Sequence, residues 1–395
     1  MFKRILYFEI LPYLSHKNAI VICGMRQVGK TTLLKMLFDA VDSVKLWFDF
    51  DNPLDLLPFE NIDYNQIYAN LVRQANPDKG EKLTVFIDEI QNFPEITHII
   101  KYLIDHYQVK FIVTGSSNYY LRNLFPESLS GRKFLYTLHP LSFTEFLCFN
   151  GYLSEDELLI DFRNALCKEP DRYEFEKRNP LYDNYVEFGG FPEVALTKDS
   201  RTKILIIRNI FASFFEKDIK LFTELKDIRE LRDLILLLAP RNGNIMDVSK
   251  LASELGINRV KTYSYLEFLR GIFFLKLIPK FSGSIDKSVA SGRKIYFSDT
   301  GILNVISKVT EGQLFETALC NQLSQYGDLT YYNKRNTAEI DFILNKEIAF
   351  EAKIKAGTND VSRLKKMSTA LGIADYYVAS RKYSNISGVI YPHFF

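Results

Sequence analysis

Residues 19–38, AIVICGMRQVGKTTLLKMLF, constrain the fold of this chain more than any other stretch. Ala19 to Cys23 are five apolar residues in a row, the pattern of a parallel strand buried on both faces. Gly24-Met25-Arg26-Gln27-Val28-Gly29-Lys30-Thr31 then satisfies G-x-x-x-x-G-K-[ST] at every fixed position. A helix is expected next, with Leu33, Leu34, Met36, Leu37 and Phe38 turned inward. The chemistry needs these parts in this order. Glycine lets the backbone close around phosphate oxygens where a Cβ would intrude. The N–H groups from Gly24 through Gln27, Val28 and Gly29 to Thr32, at the helix start, present positive charge to an anion. Lys30 is placed for the β- and γ-phosphates and Thr31 for Mg²⁺. A nucleoside triphosphate with Mg²⁺ is the expected ligand.

At 395 residues the chain exceeds one ordinary core, so several domains are expected. Its 47% hydrophobic and 25% charged content is that of a globular protein. The start, Met1-Phe2-Lys3-Arg4, leads into a run broken by Glu9 and Pro12, so no secretory leader is expected. The longest later apolar run, Leu234 to Ala239, is too short for a membrane span. Cys23, Cys148, Cys167 and Cys320 have no metal or disulfide spacing. A cytoplasmic protein without membrane contact is expected. Residues 240–395 carry 21 Lys and Arg against 14 Asp and Glu, so a polyanion such as DNA would meet this half.

Two more apolar strands end in polar residues. Leu83-Thr84-Val85-Phe86-Ile87-Asp88-Glu89 has the form of a Walker B element, with Asp88 on Mg²⁺ and Glu89 polarising the attacking water. Lys110 to Val113 runs into Thr114, Ser116, Ser117 and Asn118, any of which would serve as a γ-phosphate sensor. Alternating strands and helices imply a parallel sheet with its ligand at the C-terminal strand edge. Arg132, in Ser130-Gly131-Arg132, is a candidate arginine finger or sensor, with a structural arginine as the alternative.

Residues 151–238 read as helical. Leu205, Ile206, Asn209, Ile210, Ser213 and Phe214 fit one face of an amphipathic helix. Gly189-Gly190-Phe191-Pro192 interrupts this region. Residues 244–281 follow helix-turn-helix logic: Val248 to Leu255, a break at Gly256, a cap at Asn258, then Arg259 to Leu269. The second helix is expected to bury Val260, Tyr263, Leu266 and Leu269. Arg259, Lys261, Thr262 and Tyr265 would face outward, toward DNA or a protein partner. Ile272 to Ile278 and Lys294 to Phe297 read as wing strands.

Ala338 to Leu344 and Glu347 to Lys355 read as a hairpin with period-2 alternation. A three-residue loop, or a bulge with the same effect, is expected to set Asp341 across from Glu351, whereas a two-residue loop would put them on opposite faces. Two carboxylates with Lys353 two residues beyond one of them suit a Mg²⁺-dependent phosphodiesterase. Asp341 and Glu351 would hold the metal.

Gly190-Phe191-Pro192 resembles the Gly-x-Pro turn of signal-transduction (STAND) P-loop ATPases within the AAA+ group. The resemblance implies base contact by Phe191 and Pro192, and ATP as the nucleotide. Asp341…Glu351-x-Lys353 resembles the D…(D/E)-x-K pattern of the restriction-endonuclease-like superfamily, with Glu316 matching its additional acid. Ile340 stands where the motif's name has proline. Taken whole, the chain is similar to a bacterial and archaeal family that joins an AAA+/STAND-type ATPase, a winged helix and a PD-(D/E)xK nuclease-like domain. The expected fold class is therefore α/β: a P-loop parallel sheet over 1–150 with a helical lid over 151–238. A winged helix over 239–300 and a nuclease-like α/β domain over 301–395 would follow. The expected function is ATP hydrolysis that controls a winged helix and a Mg²⁺-dependent, DNA-cutting domain. The alternative is a nucleotide-dependent switch that binds DNA or a protein and cuts nothing.

Overall fold

A computed structural model of the chain describes residues 2–78, 81–115, 131–159, 161–167, 171–215, 225–282, 292–334 and 338–395. These gather into two compact units, 1–139 with 271–273, and 140–270 with 274–395. Among the described residues no helix is long and apolar enough to cross a membrane.

The first unit opens with α1 (Ile5–Ile10) and β1 (Ala19–Cys23), followed by α2 (Lys30–Asp39). Then come β2 (Lys45–Asp49), α3 (Tyr64–Ala75), β3 (Thr84–Asp88), α4 (Ile96–Tyr107), β4 (Lys110–Gly115) and β5 (Lys133–Thr137). The five strands form one parallel sheet in the order β2-β3-β4-β1-β5. The central strands β1, β3 and β4 are buried along their whole length, as the unbroken apolar runs required. The edge strands β2 and β5 are half-exposed. Because β4 lies between β1 and β3, its C-terminal end falls between the glycine loop and Asp88. All five strands run the same way, so the loop after β1 and the ends of β3 and β4 share one edge.

In the second unit α5 (Phe143–Phe149) is opened by a capping box between Ser142 and Glu145. The helices α6 (Arg172–Phe188), α7 (Ser200–Ser213), α8 (Leu225–Leu238), α9 (Val248–Leu255) and α10 (Arg259–Gly271) follow. A two-stranded antiparallel ribbon, β6 (Leu275–Ile278) and β7 (Lys294–Phe297), leads to α11 (Thr300–Ile306) and α12 (Glu311–Leu323). The chain ends in β8 (Leu329–Lys334), β9 (Ala338–Leu344), β10 (Ile348–Lys353), α13 (Thr358–Ala370), β11 (Asp375–Ser380) and β12 (Val389–Ile390). These strands make a mixed sheet in the order β12-β11-β10-β9-β8.

The first unit closes at His139. Beyond it, one core joins Phe143 and Leu147 to Tyr182, Ile278, Tyr296, Phe315, Phe342 and Phe395. Residues from the three segments expected as lid, winged helix and C-terminal domain thus share one interior. Gln322 stitches it, accepting from the Tyr182 hydroxyl (2.8 Å) and donating to the Pro392 and Phe395 carbonyls (2.8 Å each).

Two helices bury only part of the stripe expected: Leu266 and Leu269 on α10, and Ile210 on α7 with Phe214 just beyond it, are buried, but other expected positions are not. On α10 the inward residues are Thr262, Tyr265, Leu266, Phe268 and Leu269, while Val260 is 79% and Tyr263 54% exposed. The sequence carries two apolar stripes about one turn-third apart, and the tertiary contacts chose the one containing Thr262 and Tyr265. On α7 the buried positions are Lys203, Ile207 and Ile210, continued by Phe214, with Leu205 and Asn209 exposed.

Candidate functional site

The glycine loop bends where its sequence allows. Gly24 has φ 153° and lies so close to the Leu138 carbonyl that a Cβ would collide with it. Gln27 (φ 62°) and Gly29 (φ 96°) take left-handed conformations, and Gly29 leads directly into α2. Val28 is fully buried. Lys30 is buried and its ammonium donates to the loop's own carbonyls, Gly24 O (3.2 Å) and Met25 O (3.0 Å). Thr32 is exposed on the first turn of α2.

Three polar strand or helix ends meet at this edge. The Thr31 hydroxyl donates to Asp88 Oδ2 at 2.6 Å. The Thr114 hydroxyl donates to Asp88 Oδ1 and accepts the Glu89 N–H at 3.1 Å. Glu89 stands in the left-handed region (φ 54°), and its carboxylate accepts from Gln91 Nε2. Burial pushes the Asp88 carboxyl upward, and the Glu89 and Asp49 carboxylates add to the rise, against the lowering bonds from Thr114 and Thr31. A cation beside Asp88 relieves that penalty, so the donor set suits Mg²⁺. Of the four sensor candidates Thr114 sits in this network, and Ser116, Ser117 and Asn118 lie outside the described residues.

Sequence reasoning missed Arg4. Its buried guanidinium donates to Val28 O in the loop (3.0 Å) and to His139 O (2.8 Å), bracing the loop from the opposite side. No local pattern marks an arginine far upstream of the motif it supports.

Arg132 is elsewhere. It immediately precedes β5, its carbonyl accepts from Ala19 N (2.8 Å), and its side chain pairs with Asp105 at 2.6 Å. That is the N-terminal edge of the sheet, a five-residue strand or about 17 Å from the phosphate edge. Arg132 therefore does not serve its own loop as finger or sensor.

In the second unit the Gly189-Gly190 turn answers to packing. Asp299 accepts from Gly190 N (2.8 Å) and Ile302 N (3.0 Å), and its carboxylate fills the space of a Cβ on Gly189. Leu141 N donates to Gly190 O at 2.7 Å, and a Cβ on Gly190 would strike the Leu141 carbonyl. Phe191 is wholly buried and has no surface for a base, contrary to expectation, while Pro192 is half-buried at the start of a short helix.

The hairpin loop has three residues: Leu344 pairs with Ile348 and Phe342 with Phe350, a register whose next step would set Asp341 across from Glu351. Asp341 also sits in a β-bulge. Thr330 pairs with Ile343 but Tyr332 with Ile340, leaving Asp341 and Phe342 together opposite Tyr331. The bulge frees the Asp341 carboxylate to accept from Ala352 N at 2.9 Å. Asp341, Glu351 and Lys353 line one cavity of about 410 Å³ with Asn333, Glu339 and Arg363. Glu351 is 3% exposed; its Oε1 takes Lys353 Nζ (2.7 Å) and Arg363, and among the described residues its buried Oε2 has no partner. Burial raises its pKa, as does Asp341, against the lowering pull of Lys353 and Arg363.

Glu316 joins this cluster from α12. Its Oε1 accepts from the Tyr296 hydroxyl at 2.5 Å, and burial with the nearby Asp341 raises its carboxyl to about 7. Sequence reasoning missed Lys294 on β7, whose buried ammonium lies 2.7 Å from Glu339 and 3.5 Å from both Glu316 and Asp341. Among the described residues no three His, Cys, Asp or Glu side chains are grouped to hold a metal. The orphaned Glu351 oxygen beside Asp341 nevertheless suits one oxygen-seeking cation between two carboxylates.

On α10 the residues expected to reach a partner are differently employed. Lys261 pairs with Asp227 (2.7 Å) and Glu230 (2.6 Å), and Tyr265 donates to the same two carboxylates. Thr262 is buried, and Arg259 is exposed.

Residues 16–147 match the AAA domain family, and residues 179–313 match a domain of unknown function, DUF8612. An uncharacterised protein of Haemophilus influenzae is 27% identical over 385 residues, covering 92% of this chain and 90% of its own length. An uncharacterised protein of Methanocaldococcus jannaschii is 25% identical over 345 residues, covering 83% of this chain and 73% of its own. Among solved structures, a Walker-type ATPase of Pyrococcus abyssi aligns with 14% identity and a TM-score of 0.49, over 78% of this chain and 96% of that one. The AAA-type match and the geometry of the loop together point to nucleotide binding and hydrolysis by the first unit.

Proposed function

We propose that the protein is a Mg²⁺-dependent ATPase whose nucleotide state governs the second unit. The observation that carries the reading is the network in which Asp88 takes one hydroxyl from Thr31 and another from Thr114, with Glu89 tied to the same threonine. Thr31 and Asp88 hold Mg²⁺, which supplies charge neutralisation at the phosphates. Lys30 exchanges the carbonyls of Gly24 and Met25 for the β- and γ-phosphates. The N–H groups of Gln27, Val28, Gly29, Lys30, Thr31 and Thr32 cradle the phosphate oxygens. Glu89 exchanges Gln91 for the attacking water, and Thr114 keeps its backbone fixed during that exchange. Pro192 is retained as a base contact on the STAND resemblance alone. Mg²⁺-dependent release of phosphate from ATP by the purified chain tests the reading. Absence of both nucleotide binding and hydrolysis sinks it.

For the second unit the cavity around Asp341, Glu351 and Lys353 supports a phosphodiesterase acting on DNA. Asp341 and Glu351 hold a divalent cation, Lys353 orients the attacking water, and Glu316 supplies a further carboxylate. Asp341→Ala should abolish Mg²⁺-dependent cleavage and spare ATP hydrolysis. Failure to cut DNA or RNA with any nucleotide and metal leaves the non-cleaving switch. For α10 the observations favour a protein partner over DNA. Lys261 is committed to two acids, and Val260 and Tyr263 face solvent where phosphate contacts need cations.

A further inference from the structure

Lys294 belongs to the ribbon β6–β7, yet its ammonium lies in the carboxylate cluster of the C-terminal sheet. Its side chain is 4% exposed, with Glu339 at 2.7 Å and Glu316 and Asp341 each at 3.5 Å. The ring of Tyr331 covers it at 5.7 Å. The insertion is built rather than incidental. Tyr331, the residue opposite the Asp341 bulge, donates its hydroxyl to Gly292 O (2.7 Å) just before β7. Its backbone bonds Pro279 O (3.0 Å) and Phe281 N (2.6 Å) just after β6. One residue thus pins the ribbon to the sheet at the place where Asp341 is turned out.

Glu351 lines one cavity with Asp341 and Glu339, and among the described residues its buried Oε2 has no partner. Asp341 therefore has a fixed cation at 3.5 Å and shares its cavity with a second, buried carboxylate. We propose that Lys294 is the resident cation of this site, competing with a divalent ion for Asp341, so that metal affinity is set by the ribbon. This rests on the reading of Asp341 and Glu351 as cation ligands. An ammonium holding Asp341 neutralises the charge that a divalent ion would use and repels that ion across a few ångströms. Displacing the ribbon, or removing the amine, releases the carboxylate.

The test is Mn²⁺ binding to the full chain without nucleotide, followed by electron paramagnetic resonance. Lys294→Gln should bind Mn²⁺ at least about tenfold more tightly than the unaltered protein, equivalent to about 1.4 kcal/mol. Lys294→Arg, which keeps the charge, should bind as the unaltered protein does. Asp341→Asn added to Lys294→Gln should abolish the gain. Equal or weaker binding by a folded Lys294→Gln overturns the competition while leaving the two-carboxylate site standing. No binding by any variant removes both. Should Lys294→Gln not fold, the unaltered protein decides. Mn²⁺ should broaden the ¹⁵N resonance of the buried Lys294 ammonium, and an unaffected resonance under saturating Mn²⁺ overturns the proposal.

Discussion

Thr31 and Asp88, 57 positions apart in the chain, share a 2.6 Å hydrogen bond. It joins the first turn of α2 to the end of β3 across the end of β4, where the Thr114 hydroxyl completes the Asp88 carboxylate's hydrogen bonding. A carboxylate held this way is positioned before any metal arrives, and its desolvation is what a cation relieves. The neighbouring Glu89 has a different job and a different environment, since its carboxylate rests on a replaceable side chain, Gln91.

This separation predicts distinct phenotypes. Glu89→Gln should lower ATP turnover by about 10²–10⁴-fold while leaving nucleotide affinity nearly unchanged, because only water activation is lost. Thr31→Ala and Asp88→Asn should weaken Mg²⁺ dependence as well as turnover. A fluorescent nucleotide titration beside a phosphate-release assay distinguishes the two. Equal losses of affinity and turnover in Glu89→Gln would contradict the assignment.

Arg132 lies at the sheet edge opposite the phosphate loop, so any part it plays in hydrolysis is played on a second copy of the chain. Arg132→Ala alone should then lower turnover. Mixing it with Lys30→Ala should restore activity above the sum of the two variants measured alone. An additive mixture assigns Arg132 to its ion pair with Asp105 alone.

Asp299 is fully buried, and its carboxyl is raised to about 6 by desolvation, against the lowering bonds from Gly190, Ile302 and Gly301. In the unfolded chain it titrates near 3.8. Between those values the native state holds the proton more tightly. Its contribution to stability is therefore greatest below pH 4, falls as pH rises to about 6, and is level above that. Comparing urea unfolding of Asp299→Asn and the unaltered protein over this window should show a steeper fall in stability in the latter.

Gly189 (φ 79°) carries the same junction from the other side, with Asp299 occupying the place of a Cβ. Gly189→Ala should destabilise the second unit by more than about 1 kcal/mol, from the left-handed backbone and the steric conflict together. Chemical denaturation measures it, and a loss within about 0.5 kcal/mol would show that the turn tolerates a side chain.

The features legible in the chain are those whose chemistry is local. The glycine loop, Asp88-Glu89 and the buried strands are written in consecutive residues, because phosphate binding and strand burial depend on neighbours one to eight positions apart. The three-residue hairpin loop was the expected one, and the left-handed Asn345 and Lys346 realise it. Other features depended on what arrived from elsewhere. Val260 and Tyr263 on α10 are as apolar as the residues beside them, so periodicity left two stripes, and only packing selected the face that holds Tyr265 against Asp227 and Glu230. Gly189 and Gly190 signalled a special turn, but that Asp299 and Leu141 require it appears only when residues far apart in the chain meet.

Sequence by itself determined that a phosphate loop and an acidic strand end would be present, because a backbone nest and a strand terminus are made by their own residues. Tertiary structure alone decided that Arg4 braces the loop, that Arg132 faces the far edge, and that Lys294 enters the carboxylates. Each of these is a charge paired across distant segments, and such a pairing has no trace in spacing.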